Sequence, residues 1–440
     1  MLGKFSFFFG KVIFSKKLPK DLPFAIILLM NFLTEKLGVQ PENHHLILTA
    51  YFAFFVTGMT STILGAVLPD LRAAYELNYL VAGSLYSFHQ IGNLCAVFLA
   101  GILPYLIGRK KSVSILFSTI FVGTLLITAT GLPYLLMIAF TLTGIGRGNT
   151  SNITNVIVAE SSRNKAAGLN LLHSIFAFGA FLSPFLLVLF TFLFRDSLFG
   201  GWRVTLWLLA SFMVTVLFLF IFSSLSNNPE PRKLQVVNQD PISDENENLP
   251  PFYRSFDYWL NVSILLFYLC GESGGSGWLV TYFKDTGLMG QTFAQISSSL
   301  MWIMIMFGRL AVAFISSKLN KNVLIVVMAA LNTAFFILMI ATRSMPLIIA
   351  GLLGTGLSMS GIYPTTLSTM HRSYNSSPLA SGFAIGIAVI GGISMPIIVG
   401  AIADKYGVSQ GISTIAVALS VMLILTIVKL IRSKKISKSL

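Results

Sequence analysis

Arg147 and Glu272 each stand in the middle of a stretch otherwise too apolar to hold a charge. An ionisable group in such a stretch is expensive, and it persists where it meets a partner, a solute or a watery path. Helical spacing puts Ser151, Thr154 and Asn155 on the face of Arg147, and Tyr268 and Ser276 beside Glu272. Two polar stripes of this kind suit the walls of a water-filled cavity. Arg147 and Glu272 could pair with each other and simply hold two halves together, or they could touch a solute or a coupling ion. The second reading makes Arg147, Asn155, Glu272 and Tyr268 candidates for recognition, with Glu272 the candidate coupling group.

Other polar residues gather in similar surroundings. His89, Gln90 and Asn93 form a second cluster, in which His89 is either a titrating member of a proton path or a hydrogen-bonded packing residue. His173 and Arg309 lie nearer the ends of their stretches, and Arg309 has the reach to snorkel or to lock neighbouring helices. Ser358, Ser360, Tyr363, Thr365 and Thr366 surround Gly361 and Pro364, and a helix broken there frees backbone groups for a polyol ligand. Trp278 could stack on a sugar face or be ordinary packing. Gly144-Ile-Gly-Arg-Gly lacks the spacing and the preceding strand of a dinucleotide loop, and no Walker A sequence occurs. The two cysteines, Cys95 and Cys270, lie inside apolar stretches and offer no disulfide framework or zinc site. No cofactor or metal is expected. An enzyme would need clustered acid, base or metal-binding groups near one interface, whereas these charges are scattered around mid-depth.

The elements that carry these residues are spans of about 20 apolar residues, the length that crosses a bilayer core. They fall near 46–69, 79–105, 112–131, 133–159, 168–192, 203–225, 258–283, 291–316, 322–342, 345–370, 379–403 and 410–432. Composition agrees, with 55% hydrophobic and 10% charged residues in 440, against about 25% charged in a soluble chain. Lipid leaves helices as the natural choice, and the ten-residue alternation of a membrane barrel is missing. The net charge of +14 is a topology signal rather than a nucleic-acid footprint. With both termini inside, 22 lysines and arginines fall on the cytoplasmic side and 6 on the other; the remaining two are Arg147 and Arg309. The expected location is the cytoplasmic membrane.

Residues 226–257 are rich in Pro, Asn, Asp and Glu and read as a cytoplasmic linker between a bundle at 46–225 and another at 258–432. A basic tail, 433–440, follows. Residues 1–45 are expected to be an interfacial, cytoplasmic lead-in, unless Met30 is the true initiator. The halves match in punctuation at offsets of 210 to 212 residues: Gly179 and Pro184 answer Gly391 and Pro396, Gly144 and Gly146 answer Gly354 and Gly356, and Arg109 answers Lys321. Parallel repeats of this kind are a mark of transporters.

Gly101-Ile-Leu-Pro-Tyr-Leu-Ile-Gly-Arg-Lys resembles the loop signature of the major facilitator superfamily, Gly-x-x-x-Asp-x-x-Gly-Arg-Lys. Gly101, Gly108, Arg109 and Lys110 match, and Tyr105 stands at the acidic position. The resemblance implies twelve transmembrane helices in two pseudo-symmetric six-helix bundles that rock by alternating access. Gly101, Gly108, Arg109, Lys110 and Arg309 are then gating candidates. Asn170-Leu-Leu-His-Ser-x-Phe-x-x-Gly-Ala-x-x-x-Pro184, Tyr268-x-x-Gly-Glu-x-x-x-x-x-Trp278 and Gly361-Ile-Tyr-Pro-Thr365 resemble the fucose/galactose/hexose symporter branch. There Asn155 matches an asparagine used for sugar and coupling, while two acidic positions of fucose–proton symporters are Gly65 and Ser151 here. The expectation is a monomeric secondary transporter that takes up a sugar or similar small polar solute with a proton or sodium ion. Arg147, Asn155, Glu272, Tyr268, Tyr363, Thr365, Trp278, Gln90 and Asn93 would bind the solute; Glu272 and His89 would couple the ion. Efflux of drugs, to which 37 phenylalanines lend themselves, and transport of organic anions are the alternatives.

Overall fold

The computed structural model describes residues 37–194, 197, 199–225, 228, 251–315, 319–370, 374 and 378–439. The lead-in before residue 37, including Met30, and the linker between 229 and 250 lie outside the described residues. Within them the chain is helical throughout: α1 (His44–Tyr75), α2 (Tyr79–Ile107), α3 (Arg109–Ala129), α4 (Pro133–Ser161), α5 (Lys165–Leu193) and α6 (Gly201–Ile221) form the first half. α7 (Phe256–Asp285), α8 (Gln291–Ile315), α9 (Lys321–Ala341), α10 (Met345–Met359), α11 (Ile362–Ser368), α12 (Pro378–Tyr406) and α13 (Val408–Ser439) form the second. The tenth span is two helices, α10 and α11, broken at Ser360 and Gly361. The expected tail at 433 onward continues α13 to Ser439.

Local chemistry places the ends. Asn78, Asn164, Ser255 and Asn320 cap α2, α5, α7 and α9 with side-chain oxygens, supplying acceptors that a helix start lacks. Pro133 sits in the first turn of α4, where no donor is needed. Gly108 joins α2 to α3 at φ +85°, a backbone that a side chain would strain.

Ten helical spans are long and apolar enough to cross a membrane among the described residues. The full-length helices outside that set are α4 and α7, which carry Arg147 and Glu272.

The packing repeats between halves. α1 lies on α5 as α7 lies on α12, α2 on α4 as α8 on α10, and α3 on α6 as α9 on α13. The bundles meet where α2 packs on α12, α5 on α8, and α1 on α7. Close approach depends on small residues, since packing rather than hydrophobicity joins helices in lipid. A Cβ on Gly179 would stand 2.2 Å from the Phe55 carbonyl oxygen, and one on Gly391 would stand 2.2 Å from that of Leu266. The matched glycines thus make the same α5–α1 and α12–α7 contacts. The other pair crosses over: Gly144 packs on α2 and Gly146 on α3, whereas Gly354 packs on α9 and Gly356 on α8.

Candidate functional site

A chamber of about 910 Å³ lies between the bundles. α2 contributes Tyr86, Gln90 and Asn93 to its wall, and α4 contributes Arg147 and Ser151. α7 presents Tyr268, Glu272, Ser273 and Ser276, one helical face of a span. The broken tenth span presents Ser360 at the break and Tyr363 and Thr365 after it. The two polar stripes expected on the fourth and seventh spans therefore face one space.

Arg147 and Glu272 share that space without an ion pair joining them among the described residues. Tyr86 is within electrostatic reach of both, and Tyr268 is within reach of Glu272 and Arg309. Within the chamber wall a chain of hydrogen bonds crosses the molecule. Arg147 Nη1 donates to Gln90 Oε1 at 3.5 Å, and Gln90 Nε2 donates to Ser273 Oγ at 2.7 Å. This chain runs from α4 through α2 to α7, from one bundle into the other. The Tyr268 and Tyr363 rings lie 5.6 Å apart beside it.

Three residues singled out for the solute or ion lie elsewhere. Trp278 is fully buried, and its Nε1 donates to the Pro396 carbonyl at 3.1 Å, so it packs α7 against α12 instead of offering a ring to a sugar. His89 is buried with Nδ1 2.9 Å from Thr143 Oγ1, and its carbonyl lies under Gly144. It ties α2 to α4 behind the wall. Asn155 turns its amide back to the Ser151 carbonyl at 2.6 Å and is not among the wall residues. Helical spacing put these groups near the right faces, but local acceptors claimed them. Cys270 is buried as expected; Cys95 is exposed on the outside of α2.

The gating candidates separate too. Arg109 pairs with Glu160 at 2.7 Å, joining α3 to α4 inside the first bundle. Lys110 is half-buried beside it, and Gly101 is exposed with open space around it. Arg309, expected to snorkel or lock helices, lines the chamber, as do His173 and Lys321.

The strongest contacts between bundles were not anticipated. At one end, Asp70 on α1 accepts from Lys284, Gln291 and Gln295 at 3.1 to 3.2 Å. Arg72 pairs with Asp285 at 2.6 Å and lies over the Tyr79 ring, whose hydroxyl donates to Asp285. Asp404, near the end of α12, accepts from the backbone N–H groups of Tyr79 and Leu80 at 2.7 and 2.8 Å, capping α2 from the other bundle. At the opposite end, Arg432 pairs with Asp257 within the second bundle, as Arg109 does with Glu160 within the first. The chamber wall runs out there to the exposed Lys321 and Ser368. One end is clasped and the other is the mouth. The clue in sequence was the charged pairs Asp70-x-Arg72 and Lys284-Asp285, after the first and seventh spans.

Proteins of known sequence and structure place this architecture. A TsgA homolog from Erwinia tasmaniensis is 23% identical over 374 residues, covering 83% of this chain and 89% of its own. The TsgA homolog of Serratia proteamaculans is 22% identical over 370 residues, covering 83% and 90%. Among solved structures, a bacterial homolog of the human lysosomal transporter Spinster, inward-facing and occupied, matches with a TM-score of 0.71 at 12% identity, covering 89% of this chain and 97% of that one. A mutant of the nucleoside transporter NupG matches with a TM-score of 0.67 at 12% identity, covering 88% and 99%. The family model of the Major Facilitator Superfamily spans residues 50–374, and with the two-bundle membrane fold around it the chain belongs to that transporter superfamily.

Proposed function

We propose that the protein is a secondary transporter that carries a small, hydroxyl-bearing polar solute by alternating access, coupled to a cation through Glu272. The observation that carries this reading is the polar chamber between the bundles, clasped at one end and reaching the surface at the other. Arg147, Gln90, Asn93, Tyr268, Tyr363 and Thr365 are its proposed contacts, and Trp278, Asn155 and His89 act in packing. The excess of lysine and arginine at the mouth end supports a cytoplasmic mouth, with both termini inside, in the cytoplasmic membrane. The protein then works as a monomer, each copy holding a whole chamber. The nucleoside transporter among its structural neighbours supports a polar solute.

Drug efflux fits less well. None of the 37 phenylalanines is among the wall residues; the aromatic rings there are Tyr86, His173, Tyr268, Tyr363 and Trp302. The test is transport by purified protein in proteoliposomes, with labelled hexoses, nucleosides and sugar acids set against dye efflux. We expect solute counterflow, and E272Q to keep counterflow while losing accumulation driven by a proton or sodium gradient. Counterflow absent for every polar solute, with dye efflux present, overturns the reading.

A further inference from the structure

We infer that the solute is an anion: a small hydroxylated molecule bearing a carboxylate or phosphate group. This inference rests on the proposed transport reading and concerns the charge of the chamber wall. The wall holds three cationic side chains, Arg147, Arg309 and Lys321, and one carboxylate, Glu272. His173 stands among them.

The two arginines in the chamber wall differ from three that stand at the ends of the bundles. Arg72, Arg109 and Arg432 each hold a carboxylate, on Asp285, Glu160 and Asp257, at 2.6 to 2.7 Å. Arg147 and Arg309 hold none among the described residues. Arg147 has a single amide oxygen at 3.5 Å, the outer limit of a hydrogen bond. A guanidinium carries five donors in a fixed fork, so most of the donor capacity of Arg147 is unspent. A lock between helices would use that capacity on protein carbonyls or carboxylates. Unspent, it matches the bidentate geometry of a carboxylate or phosphate.

Placement adds to charge. Arg147 lies on α4 of the first bundle, and Arg309 lies on α8 of the second. Glu272 lines the same chamber, on α7 of the second bundle. An anion in the chamber therefore meets a cation from each bundle, and Lys321 at the mouth adds a third positive group on its way in. Field lines focused by a low-dielectric cleft concentrate ions of the opposite sign. The hydroxyls of Ser61, Ser151 and Ser360 suit the neutral, hydroxylated part of the same molecule.

The experiment uses the full chain reconstituted in phospholipid vesicles, with gluconate, glucose 6-phosphate and glucose as probes. Each vesicle batch is loaded with one unlabelled probe and tested for uptake of its labelled form. Exchange of either anion faster than glucose, by about tenfold or more, is the expected result. Gluconate ahead of the phosphate ester identifies a carboxylate solute, and the reverse order a phosphate ester. R147Q and R309Q should each lower anion exchange by about tenfold or more, the scale of one charge-assisted hydrogen bond. R147K should recover part of the loss, because charge returns without the fork. A melting curve on each variant separates lost binding from lost folding, and the probe preference of the wild-type protein requires no variant at all. Glucose exchanging as fast as both anions overturns the inference and leaves the transport reading standing. Anion exchange unchanged in both R147Q and R309Q overturns it as well. No exchange of any of the three by folded protein counts against the inference and the transport reading together.

Discussion

At the scale of single residues, cost decides what can be read. An arginine and a glutamate in the middle of apolar spans stand out because nothing about packing would keep them there, and both line the chamber. Trp278 is the opposite case. Its size and motif context suggest a sugar platform, yet it is fully buried, with its indole nitrogen spent on the Pro396 carbonyl. W278A should therefore cost about 3–5 kcal/mol of stability, as large-to-small core changes do, measured by denaturation of the purified protein. The order of preference among solutes should be unchanged in whatever fraction folds; altered selectivity would return Trp278 to the site. The misplacement of Trp278, His89 and Asn155 has one physical source. Periodicity says which residues share a face of one helix, but not which acceptor on a neighbouring helix, or one turn back, will claim a side chain. Ser273, which links Gln90 to the second bundle, gave no signal at all: a serine among glycines in a membrane helix reads as packing.

At the scale of elements, almost everything was legible. Most of the expected spans and the observed helices agree to within a few residues because hydropathy reports burial in lipid directly, while α1 and α13 run on past their expected ends to Tyr75 and Ser439. The broken tenth span was visible in Gly361 and Pro364. Harder to see is why position 65 is a glycine. In the structure a Cβ at position 65 would stand 2.2 Å from the Ser276 carbonyl oxygen, where α1 crosses α7 between the bundles. No side chain fits with the clasp closed. G65V should push the two helices apart, at about 1–3 kcal/mol by analogy with overpacked cores, and favour opening at the clasped end. The measurement is labelling of a single cysteine at position 61, a wall residue, by an impermeant maleimide applied from that side, with Cys95 and Cys270 replaced by serine. We expect a rise of about tenfold, the effect of 1.4 kcal/mol on an equilibrium. An unchanged rate would mean that α1 and α7 do not separate in the cycle.

At the scale of the whole molecule, the ion pairs divide by end. Among the described residues, those at the mouth stay within a bundle, and those at the clasp cross between bundles. A rocking motion that closed the mouth would leave the first set intact and break the second, so the clasp is where the observed state gains its stability. Asp404 is the component with the clearest physics. Three of the first N–H groups of α2 have side-chain acceptors: Asn78 takes that of Val81, and Asp404 takes those of Tyr79 and Leu80. The Asn78 bond travels with α2 through any motion, whereas the Asp404 bonds exist only while the bundles touch. A carboxylate at a helix N-terminus contributes about 0.3–2 kcal/mol, and D404A should remove that amount from the clasped state alone. The population with the clasp open should then rise by about two- to thirtyfold, each 1.4 kcal/mol being a factor of ten. Spin labels on the exposed Glu76 and Tyr406 positions, beside the starts and ends of α2 and α12, report it as a longer-distance component in pulsed dipolar spectra. D404N, which keeps one carbonyl oxygen as acceptor, should fall between wild type and D404A. A distance distribution identical in all three would assign the stability of the clasped state to Asp70 and Arg72 instead, where D70N and R72Q should then produce the shift.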